Sequence, residues 1–217
     1  MTPLQTLMSE ASIFPAIVEN LEARELTHGD DALALARNAV DMTVEVVHRL
    51  TRTLECAAVS GSQWWWYARR GGRACVWFPD ISTANYLTYY WAFWIICVTH
   101  IRKLRADYPC LRDEDVWLDG AAPESGEVTE QLVDLSCRIL QSMEFLTQDE
   151  MKLFGASSAV LPFQTAVSFL GDRGDVEARP AILETVLETI ANRGYLDILN
   201  GTPTMSLDGE TVMRSRK

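Results

Sequence analysis

Asn85, Tyr89 and His100 are the polar side chains best placed to do chemistry in this sequence. They lie in or just after an uncharged stretch, residues 81–99, which follows the aromatic run Trp64-Trp65-Trp66-Tyr67. A histidine changes its charge near neutral pH and can hold or move a proton. Beside tryptophan walls, one or two polar groups of this kind could fold or cyclise a hydrophobic substrate through shape and desolvation. The apolar pocket needed for that is expected from Trp64, Trp65, Trp66, Tyr67, Tyr89 and Trp91. Each polar residue also has a structural reading. His100 can cap carbonyls in a last helical turn or sit in a pocket wall, Asn85 can cap or bridge backbone groups, and Tyr89 can satisfy its hydroxyl at a core edge. Whether the chain is an enzyme stays open at this level.

Other chemistries find no pattern. The cysteines, Cys56, Cys75, Cys97, Cys110 and Cys137, form no C-x-x-C pair, and His28, His48 and His100 have neither H-x-x-x-H nor H-E-x-x-H spacing. Gly29-Asp30-Asp31 is a loop-to-helix junction rather than an aspartate-rich metal–diphosphate box. There is no G-x-S-x-G, and Ser60-Gly61-Ser62 lacks that motif's context. Gly71-Gly72, flanked by Arg70 and Arg73, could cradle an anion, although such a pair is more often a solvated turn. The expectation is therefore no metal and no cofactor.

Helical periodicity dominates the elements that must position these residues. Apolar residues Leu4, Leu7, Met8, Ala11, Phe14, Ile17, Val18 and Leu21 mark a first helical region, broken at Pro15. A long helix is predicted to begin at Asp30 or Asp31, with a stripe at Leu33, Ala36, Val40, Val44, Val47, Leu50, Thr51 and Leu54. Residues 60–80 read as a loop with at most short extended pieces, punctuated by Gly61, Gly71, Gly72 and Pro79. The uncharged helix follows, capped by Asp80 or Ser82, with Arg102, Lys103 and Arg105 in its last turns. Residues 108–126 read as a polar, acidic loop, and residues 127–146 as an amphipathic helix with a stripe at Val128, Leu132, Leu135, Ile139, Met143 and Leu146. A hinge at Phe154-Gly155 leads to a short apolar helix over 160–170, interrupted near Pro162. A final helix is expected over 175–192, closed by Arg193-Gly194, and the tail from about residue 201 is expected to fray. The predicted fold is all-α: one domain, 1–217, of six to seven helices around a long, uncharged central helix.

The formal charge of −11 argues against a nucleic-acid surface, because duplex binding draws on Lys and Arg neutralising phosphates. A membrane span is equally disfavoured. The continuously apolar part of the central helix covers only residues 91–98, and Ser82, Thr83, Asn85 and Thr88 would otherwise sit in hydrocarbon. An odd number of dispersed cysteines suits reduced thiols inside the cell, in nucleus or cytoplasm, and no secretory signal is visible. Twelve aromatic side chains crowd residues 64–94. Aromatics at helical spacing are usually core, but three consecutive tryptophans cannot all face one core, so at least one must meet a ligand, a partner or another subunit.

The segment Trp77-Phe78-Pro79-Asp80-Ile81-Ser82-Thr83-Ala84-Asn85, continuing through Tyr89-Tyr90-Trp91 to Ile101-Arg102, resembles a helix in the large regulatory region of fungal Zn2Cys6-type transcription factors. Residues 135–146, around Leu135-Ser136-Cys137-Arg138, look like that family's "I-C-x-S-V-P-Y" helix, and Leu161-Pro162-Phe163-Gln164-Thr165-Ala166 is similar to its "W/F-P-L-x-V-A" motif. Residues 182–199 match its closing helix. The resemblance runs in order from about Trp64 onward. Two features depart from the family. Its six-cysteine zinc cluster and basic linker are absent, and the chain covers only the last part of such a region.

The resemblance implies a helical regulatory or effector-sensing domain without a DNA reader, either cut from a longer factor or standing alone. It would act by binding a protein partner, a second copy of itself or a small apolar ligand, with no direct contact to nucleic acid or membrane. The alternative is a small cofactor-independent enzyme of fungal secondary metabolism, using the aromatic pocket on the same scaffold.

Overall fold

The computed structural model describes residues 2–25, 29–58, 64–70, 73–112 and 126–171. Among these, α-helices dominate: α1 (Pro3–Glu10), α2 (Phe14–Glu25), α3 (Asp30–Ala58), α4 (Ile81–Asp107), α5 (Gly126–Leu146) and α6 (Lys152–Gly171). They are joined by 3-10 turns and interrupted by one hairpin, β1 (Trp66–Arg70) with β2 (Arg73–Trp77). The fold is mainly all-α. The expected helix over 175–192 lies outside the described residues.

The chain divides into two compact units, Met1–Gly61 with Ile96–Gln131, and Ser62–Ile95 with Leu132–Lys217. The sequence reading had a single domain, and no glycine- or proline-rich linker stands at residues 95–96 or 131–132.

In the first unit, Thr2 closes a capping box. Its hydroxyl accepts from the Gln5 amide at 3.2 Å while Gln5 Oε1 accepts from the Thr2 amide at 2.8 Å. Pro3 takes the first helical position, where its missing N–H costs nothing. The expected break at Pro15 is a 3-10 turn, Ala11–Ile13, ahead of α2. Gly29 sits in the left-handed region (φ 71°) and begins α3, whose first turn carries Asp30 and Asp31. The α3 stripe is buried: Ala36, Ala39, Val40 and Val44 pack with Ile101, Leu104 and Leu111, with Leu33 and Tyr108 at the edge.

In the second unit, Asp80 is the cap of α4, its Oδ1 accepting from the Thr83 amide at 2.8 Å. The helix is buried on all sides from Ala84 to Thr88 and from Tyr90 to Ile95, which is why it carries no charge there. Among the described residues, no helix is long and apolar enough to cross a membrane.

Two segments differ from expectation. Residues 66–77 form an antiparallel hairpin, with Trp66 opposite Trp77, Tyr67 opposite Val76, Ala68 opposite Cys75, Arg69 opposite Ala74 and Arg70 opposite Arg73. Period-2 alternation is missing from its sequence because the consecutive residues Cys75 and Val76 are both buried, whereas Trp66 and Tyr67 are both exposed. The second difference is at Phe154-Gly155, which lies inside α6 rather than at a hinge. A Cβ on Gly155 would stand 2.0 Å from the Leu146 carbonyl oxygen, so glycine is there to let α6 approach the end of α5. Pro162 lies within α6 without ending it.

Candidate functional site

The second unit gathers the aromatic residues around Trp65. The hairpin brings Trp65 to the base of β1, where its ring meets Tyr67 edge-on at 5.2 Å and Trp91 of α4 edge-on at 6.4 Å. The Arg138 guanidinium carbon stands 4.9 Å from the centre of the Trp65 ring, a cation–π arrangement. Arg138 is oriented from one turn earlier on α5 by Asp134, at 2.5 Å. Trp64 packs on Tyr86 at 5.5 Å. Beneath these, Phe145 receives Trp77 at 5.2 Å and Phe78 at 5.3 Å, and Phe78 reaches Trp91 at 6.3 Å. Edge-to-face and tilted contacts of this kind suit the ring quadrupoles and hold the cluster in a defined geometry.

The six residues expected to line a pocket therefore separate into three groups. Trp64, Trp65 and Trp91 belong to the packed cluster, and Trp91 is only 3% exposed. Trp66 and Tyr67 face outward at 37% and 54%. Tyr89 pairs with Phe93 on its own helix, 5.8 Å away. Trp77 and Phe78 of the aromatic-rich segment complete the cluster, together with Arg138 and Phe145, which were not expected at the site. Arg138 and Phe145 lie on a helix far away in sequence, and only the amphipathic stripe of residues 127–146 hinted that one face of it would be buried.

Each of the three polar candidates has its own surroundings. Asn85 is buried, and its Oδ1 accepts from the Ser158 hydroxyl of α6 at 2.8 Å, with the Gly155 carbonyl 2.9 Å from the same hydroxyl. It thus ties α4 to α6, a side-chain bridge rather than the backbone one expected. Tyr89 is half-buried, and desolvation pushes its phenol above the usual range, so it is neutral at physiological pH. His100 belongs to the first unit. Its Nδ1 is buried without a hydrogen-bond partner. Burial and the Lys103 charge push the imidazole below its usual 6.5.

That depression predicts a pH effect. The unfolded histidine protonates first, so the contribution to stability is complete above about pH 6.5 and is lost as pH falls through the folded value. Melting temperature should therefore decline on acidification from pH 6.5, and the His100→Gln variant should show a shallower decline over the same range.

Among the described residues no group of three or more His, Cys, Asp or Glu side chains could hold a metal ion. Cys75, Cys97, Cys110 and Cys137 are free thiols, and burial pushes the Cys97 thiol far above its usual range, which keeps it protonated. Compared with known proteins, the chain matches no family model, no curated protein and no solved structure.

Proposed function

We propose that this chain is a regulatory-type helical domain that acts by binding, in the nucleus or cytoplasm, and that the exposed aromatic residues of its hairpin take the partner or apolar ligand. The observation that carries this reading is the exposure of Trp66 and Tyr67 directly beside the packed Trp65–Trp91–Arg138 cluster. Exposed large aromatics on a supported element are the usual anchors of recognition surfaces. The resemblance to the regulatory region of fungal zinc-cluster factors supports the same reading.

A reporter assay tests it. The chain fused to a heterologous DNA-binding module should change reporter output several-fold, and Trp66→Ala/Tyr67→Ala should return output to that of the module alone while retaining the wild-type melting profile. No change with the wild-type chain, or full activity in the double variant, would remove this reading. By itself the chain should not retard a duplex in an electrophoretic assay at physiological salt, since its net charge of −11 repels phosphates.

A further inference from the structure

We draw no further inference here: the strongest candidate, the exposed surface patch of Tyr67 and Arg69 on β1 of the hairpin, belongs to the site already described, and nothing in the structure shows what covers it.

Discussion

Replacing Trp91 with alanine should destabilise the chain by about 3–5 kcal/mol, the range for deleting a fully packed large aromatic. Trp91 is 3% exposed and touches both Trp65 and Phe78, so the variant loses the transfer energy of the indole and leaves a cavity between the hairpin and α4 in the second unit. With about 2–4 °C of melting temperature per kcal/mol for a chain of this size, the shift is on the order of 10 °C. Differential scanning calorimetry reads it directly. A melting temperature within a degree or two of wild type would mean that the indole is not packed as described. Near-ultraviolet circular dichroism adds a second readout, since the edge-on contact with Trp65 disappears. Trp66→Ala is the contrasting control, because Trp66 is exposed and its loss should change stability little.

Gly155→Ala is expected to be nearly as damaging, although it adds a single methyl group. The new Cβ would meet the Leu146 carbonyl oxygen at 2.0 Å and the Met151 Cβ at 2.7 Å. Neither is the far end of a flexible side chain, so the first turn of α6 must move away from the end of α5. Overpacking of this kind costs about 1–3 kcal/mol, and a clash with backbone places the change toward the upper end. Alanine normally favours a helix interior by up to about 1 kcal/mol over glycine, so the sign of the result decides the matter. A chemical-denaturation midpoint below wild type supports the close approach, and a midpoint above it would show that the helices stand apart.

Comparing the two sites shows what could be read in advance. The uncharged composition of residues 81–99 suits a helix buried in a core, and Trp91 and Ile95 within it are both buried. Nothing around Gly155 distinguishes a hinge glycine from a close-approach glycine, because the atom that excludes a Cβ belongs to Leu146, across a turn. The same limit applies to the candidate site. The aromatic richness of residues 64–94 was legible, but which rings would pack and which would face solvent was not. Trp64, Trp65 and Trp66 are chemically identical neighbours, and only the hairpin register, together with Phe145 and Arg138 on a distant helix, makes Trp66 the exposed one.

The sequence by itself determined the mainly helical fold, a cap for α4 at Asp80 or Ser82, the break before α2, the buried stripe of α3 and the burial of α4. These follow from local rules: side-chain period, capping chemistry and the cost of burying charge. Tertiary structure alone decided the pairing of β1 with β2, the close seat of α6 beside Leu146, the Ser158 bond to Asn85, and the exposure of Trp66 and Tyr67. Each of these depends on atoms far apart in the chain, where neither periodicity nor propensity carries information about which partner is met.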